Sequence, residues 1–184
     1  MIHNEFLSLP DVARDALERQ AMAVRNVVPE STMAWQLDVS SLPDAMNDST
    51  LLDEVRHWAG EGDRFIYYFE FQEENNQLGL VEQAYKAARE HAENARCYAR
   101  RNLASRRIYV GSSQKIHLRL AEHLGYRSAK TYALHFIHWA RPLGLNLNFV
   151  CAKYAGSVDL SVIQSLEDAL WTASMPMFGR QGRK

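Results

Sequence analysis

Five side chains along this chain could together act on a phosphodiester: Tyr67, Tyr109, Arg119, His123 and Glu167. Hydrolysis of that bond needs a deprotonated water, a counter-charge for the pentavalent phosphorus, a neutralised leaving oxygen and an in-line strand. Glu167 is a carboxylate among Val162, Ile163, Leu166, Ala169, Leu170 and Trp171, and shares its helix side with Ile163 and Leu170. It needs a partner: a Mg²⁺ (or Mn²⁺) ion held by one carboxylate and waters, a core arginine, or an escape to the helix edge. Arg119 carries a fixed charge on a planar fork that suits a phosphate oxygen; the alternative is a surface pair with Glu122. Lys115, four residues earlier, would share its helix face, and His123, four later, could relay a proton, donate to phosphate, or simply be structural. Free tyrosine titrates near ~10 and is a poor base. Tyr67 or Tyr109 could act only if a cation such as Arg119 or Lys115 stabilised the phenolate; otherwise they are core-edge residues with satisfied hydroxyls. Tyr68 faces the opposite side of its strand and is assigned no chemistry.

A second set of residues could grip nucleic acid. Arg96, Arg100 and Arg101, with Arg106 and Arg107, lead into the Tyr109 segment. Ser112 and Ser113 stand where a strand turns into a helix, so they form either a phosphate perch or an ordinary cap. The stretch Tyr126, Arg127, Lys130, Tyr132, His135, His138, Trp139, Arg141 interleaves bases with aromatics. Tyr132, Phe136 and Trp139 at helical spacing read as a buried stripe, and nothing around His135 and His138 completes a zinc site.

The elements that must position these groups can be read from patterning. Pro10-Asp11 predicts a helix start, with Val12, Ala13, Leu17, Ala21 and Val24 recurring to about Asn26. Residues 28–47 read as irregular, with Pro29 and Pro43. Asp48-Ser49 caps a second helix bearing Leu51, Leu52, Val55 and Trp58, which Gly60-Glu61-Gly62-Asp63 ends. Strands are predicted at 64–71, 107–111 and 145–154. Helices are predicted at about 77–104, with Arg96, Arg100 and Arg101 in the last turns, at 113–124, at 129–140, and from Asp159 or Ser161 to Ala173.

Phe65-Ile66-Tyr67, Tyr109-Val110-Gly111-Ser112, Arg119 ten residues after Tyr109, His123 four further on, and Glu167 nine before Pro176 together resemble the GIY-YIG nuclease family. The resemblance covers about residues 64–180 and is most specific from Tyr109 to His123. It implies an α+β fold: a small, three-stranded, mainly antiparallel sheet flanked by helices. It also implies a metal-dependent endonuclease in which Tyr109 takes the proton of the attacking water, Tyr67 supports it, and Glu167 holds the metal. Phe65 stands where the family has glycine, the two tyrosine strands are joined by about 35 residues instead of a short hairpin, and Gly179 stands where the family carries asparagine. Arg180 and Gln181 are the neighbouring substitutes for that amide.

Composition sets the outer bounds. With 47% hydrophobic and 23% charged residues in 184, the chain suits one good-sized core. Residues 1–96 hold 8 Lys+Arg against 18 Asp+Glu, a net of −10, and residues 97–184 hold 13 against 4, a net of +9. Either one basic surface faces phosphates or the halves neutralise each other. No apolar run approaches the ~20 residues of a membrane span, and the first residues lack a basic signal region. Cys97 and Cys151, in no metal spacing, read as buried thiols of a cytoplasmic protein. The organisation expected is a helical extension over 1–62, then a nuclease-like domain over 63–184 with a helical insert at about 73–105. The partner expected is DNA, with a homodimer as one route to cutting both strands. The competing readings are a binding module of the same fold with weak or lost catalysis, and an interaction protein whose acidic half covers its basic face.

Overall fold

The computed structural model describes residues 3–72 and 78–182. Helices α1 (His3–Asn26), α2 (Thr50–Ala59), α3 (Leu78–His91), α4 (Ile116–Leu124) and α5 (Leu160–Ser174) accompany strands β1 (Ser31–Asp38), β2 (Arg64–Phe71), β3 (Arg107–Ser113) and β4 (Asn146–Tyr154). The class is the expected mixed α/β, but the sheet has four strands, in the order β1-β4-β2-β3, with every pairing antiparallel. The added strand lies in the segment read as irregular. Trp35 and Leu37 alternate inward against exposed Ala34, Gln36 and Asp38, and Pro29 and Pro43 flank the strand instead of interrupting it. The first 62 residues are therefore not a purely helical extension, because β1 completes the sheet beside β4.

One sheet face carries the main core. Phe65, Tyr67, Phe69, Phe71, Tyr109 and Phe149 are buried there against residues of α2, α3 and α4. Each fully buried phenylalanine contributes about 1.5–3 kcal/mol by leaving water. The opposite face packs Ile66 and Tyr154 against Ile163, Leu166 and Leu170 of α5. Helix α2 begins as expected: the Ser49 hydroxyl accepts from the Leu52 N–H, Leu52, Val55 and Ala59 turn inward, and Gly60 ends the helix at φ +67. It packs on α4. Asp159 caps α5 by accepting from the Ser161 N–H at 2.7 Å.

Four helix expectations are corrected. Pro10 lies inside α1, which starts at His3 and runs through the proline at the cost of one backbone hydrogen bond. The helix expected over 77–104 ends at His91; its expected first residue and the start of the insert fall within 73–77, outside the described residues. Asn94 then caps a short 3₁₀ turn, Ala95–Cys97, by accepting from the Arg96 N–H, and Tyr98–Ala99 runs extended beside Ala133. That pairing also removes the helix expected over 129–140, where only the short 3₁₀ turns Phe136–His138 and Arg141–Leu143 form. Phe136 and Trp139 are buried nonetheless. Helix α4 starts at Ile116, so Ser113 does not cap it; its hydroxyl accepts from the Lys115 N–H in a preceding turn. Among the described residues no helix is long and apolar enough to cross a membrane.

Candidate active site

Antiparallel register puts Tyr67 opposite Gly111 and Phe69 opposite Tyr109, so both tyrosines project from one face of β2 and β3. Their rings stack at 6.2 Å with 19° between planes. Gly111 makes that approach feasible: a Cβ there would lie 2.7 Å from the Tyr67 hydroxyl and 2.9 Å from the Tyr109 ring. Gly111→Ala is therefore expected to cost about 1–3 kcal/mol by overpacking, readable as a lower melting temperature.

Arg119 on α4 meets both phenols. Its Nε donates to Tyr67 Oη at 3.0 Å, Nη2 to Tyr109 Oη at 3.2 Å, and Nη1 to Glu122 at 2.8 Å. Of the two sequence alternatives the pair with Glu122 forms, though largely buried, and the same guanidinium also bonds both tyrosines. His123 is fully buried beside it. Its Nδ1 accepts from the Leu134 N–H at 3.3 Å, so the ring proton sits on Nε2 and is donated to Tyr67 Oη at 2.8 Å. His123 accordingly fixes Tyr67 from behind and has no open path to a phosphate.

Burial, reinforced by Arg119, holds His123 well below its ordinary range and therefore neutral. Burial also pushes both phenols up, Tyr67 strongly, and the Arg119 charge opposes this in each. Tyr67 Oη already receives two donors, whereas Tyr109 Oη receives one and lines the cleft.

Glu167 arrives from α5, on the other side of the sheet. Ser112, alternating with Gly111 on β3, donates its hydroxyl to Glu167 Oε2 at 2.5 Å. Residues from both sheet faces, with Gly111 between them, line one cavity of about 300 Å³. Tyr67, Tyr109, Ser112, Arg119, Glu167 and Arg180 border it, with Tyr132, Gln181 and Gly182. Burial raises the Glu167 carboxyl above its ordinary range, partly offset by the Ser112 hydrogen bond. Its second oxygen makes no hydrogen bond among the described residues. A partly dehydrated carboxylate with one free oxygen fits a divalent cation. Among those residues no group of three or more His, Cys, Asp or Glu converges, so such an ion would rely on Glu167 and water, the manner of Mg²⁺.

The other proposed contacts divide. Ser112 belongs to the cleft as the support of Glu167. Lys115 does not: its exposed side chain borders a separate cavity with Gly60–Asp63 and Gln114–Leu118. Arg127 and Lys130 are exposed on the loop after α4 and do not border the cleft. Arg96, Arg100 and Arg101 are exposed too, Arg96 in the short 3₁₀ turn Ala95–Cys97 and Arg100 and Arg101 in non-helical chain, not in the last turns of a long helix. Arg101 pairs with Glu82 at 3.5 Å, and the Arg100 carbonyl accepts from the Gly179 N–H at 2.8 Å, which brings the arginine-rich segment to the cleft wall. Tyr68 faces away from Tyr67 and lies under the Arg107 guanidinium, 3.4 Å from the ring centroid. Arg141, counted among the basic candidates, is tied to Asp44 and to the Leu42 and Pro43 carbonyls.

Tyr132, read as core within the basic–aromatic stretch, and Arg180, offered only as a neighbour of the absent amide, both border the cleft. Gly179 stands where the resemblance places an asparagine. It sits at φ +107 with its Cα against Tyr109, where a Cβ would come within 3.1 Å of the ring. Asn102 and Gln181, the nearby amides, are spent on Pro176 and Gly179 carbonyls and on Thr172, respectively. No protein-family model, curated protein or solved structure matches the chain.

Proposed function

We propose that the protein is a divalent-metal-dependent endonuclease of the GIY-YIG type, hydrolysing DNA phosphodiester bonds in the cleft between β3, α4 and α5. The observation that carries this reading is the convergence of Tyr67, Tyr109, Arg119 and Glu167 from four separate elements onto one cavity. Tyr109, once ionised, takes one proton from the water whose oxygen attacks phosphorus, and the departing sugar oxygen leaves with a proton from solvent. The Arg119 charge, 3.2 Å from its oxygen, offsets part of the burial that keeps the phenol neutral. Tyr67, held by His123 and Arg119, keeps the guanidinium in place. Glu167 would hold a Mg²⁺ or Mn²⁺ ion, which would supply positive charge to the leaving oxygen. The buried, unpaired Cys97 and Cys151 suit a reducing cytoplasm.

The test is supercoiled plasmid incubated with purified protein and Mg²⁺, with and without EDTA. Nicking or linearisation that EDTA abolishes is the expected result. The second reading, a DNA-binding module with weak or no catalysis, draws on Gly179, which leaves the cleft without the family's amide. Binding without cleavage across metals and DNA forms would favour it. In either case Arg96, Arg100 and Arg101 changed together to alanine should weaken DNA binding and flatten its salt dependence, each lost phosphate contact removing about 0.9 from the log–log slope. Fluorescence anisotropy across a salt series measures it.

A further inference from the structure

Arg119 is largely committed within the protein. Three of its five N–H groups are used, on Tyr67, Tyr109 and Glu122. A phosphate entering the cleft therefore needs a second cation, and the cleft has one. Arg180 is exposed, borders the cavity, and makes no ion pair or side-chain hydrogen bond among the described residues. Its guanidinium lies 5.1 Å over the Tyr132 ring. That contact orients the fork without using its donors.

The platform beneath is rigid. The Tyr132 hydroxyl accepts from the Arg100 N–H at 2.8 Å. The chain entering Arg180 is laced down residue by residue: Met177 N–H to the Arg107 carbonyl at 2.7 Å, Phe178 to Ile108 at 2.9 Å, and Gly179 to Arg100 at 2.8 Å. Asn102 holds the Gly179 carbonyl from the side at 3.1 Å. An uncommitted arginine on such a support, lining the same cleft as Glu167, is arranged for a planar anion.

We infer that Arg180 is the substrate-binding residue that grips a non-bridging phosphate oxygen, with Tyr132 as its positioning residue; this deepens the nuclease reading and rests on it. The test compares wild type with Arg180→Ala, Arg180→Lys and Tyr132→Leu. A labelled 20-base-pair duplex is bound in Ca²⁺ over a salt series, and single-turnover cleavage is followed in Mg²⁺. Arg180→Ala should reduce the log–log salt slope by about one and slow cleavage about 10²-fold, with an unchanged melting temperature. Arg180→Lys should keep the slope but recover little of the rate, because a point charge lacks the fork. Tyr132→Leu should fall between wild type and Arg180→Ala. A wild-type slope and rate in Arg180→Ala would overturn the inference while leaving the nuclease reading intact. If the wild type binds but cleaves nothing, the catalytic reading falls and the slope alone decides Arg180. No DNA binding by the wild type would overturn both.

Discussion

Glu167→Ala is expected to lower metal-supported cleavage by about 10³-fold or more while leaving the melting temperature unchanged or raised. The carboxylate is mostly buried, and burial raises its pKa, so at neutral pH its ionised form is a cost to the fold. The sign follows from linkage. A carboxyl whose folded pKa lies above its unfolded value destabilises above that value, and the penalty fades as pH falls into the ordinary carboxylate range. Removing it leaves only the Ser112 hydroxyl, at the open edge of β3, to find another partner. Arg119→Ala should behave differently. It would also abolish cleavage, but it strands two buried phenols and the Glu122 carboxylate, which is only 21% exposed. The cost there is about 2–4 kcal/mol. Plasmid cleavage and thermal melting on both variants read the contrast. A Glu167→Ala protein that melts well below wild type would make Glu167 a structural residue and remove the proposed metal ligand.

That contrast also shows where the sequence was legible. Tyr67 and Tyr109 could be placed on strands because their neighbours are aromatic and β-branched. Arg119 and Glu167 could be placed on helices because apolar residues recur around them at helical spacing. Local pattern reports such things well. It failed where long-range pairing overrode propensity. The alanines and tyrosine of 95–99 match a helix, but the backbone of Cys97–Ala99 gains partners at Ala133 that a helix would forgo. β1 is only eight residues long with two inward positions, a weak alternation that two prolines obscure. Charge failed in a more useful way. Lys115 and Arg119 are four apart, yet Lys115 precedes the helix and borders another cavity, whereas Arg180 was brought to the cleft by a C-terminal segment laid along β3. No spacing rule encodes that route.

Acidification is expected to unfold the protein from about its ordinary histidine pKa downward, and His123 should account for much of the slope. Its folded pKa lies well below 6.5 because it is buried beside Arg119. Below pH 6.5 the unfolded chain takes up a proton that the folded chain refuses, so stability falls by about 1.4 kcal/mol per pH unit until the folded pKa is reached. His135 and His138 are lowered by burial too and add in the same direction, while Glu167, whose pKa is raised, works against them at lower pH. Above pH 10 the raised Tyr67, Tyr85 and Tyr109 reverse the trend: the unfolded chain releases protons that the folded one keeps, and stability falls again. Urea denaturation of wild type and His123→Gln between pH 7.5 and 4.5 tests the acid limb. Glutamine can still donate to Tyr67 but cannot titrate, so its stability should fall less steeply, by about 1.4 kcal/mol per unit. Equal slopes would mean that His123 is protonated within the fold. The same variant addresses catalysis. A neutral, buried histidine that only orients Tyr67 leaves the pH dependence of cleavage unchanged, whereas a histidine that relays protons would take the acid limb of the rate profile with it.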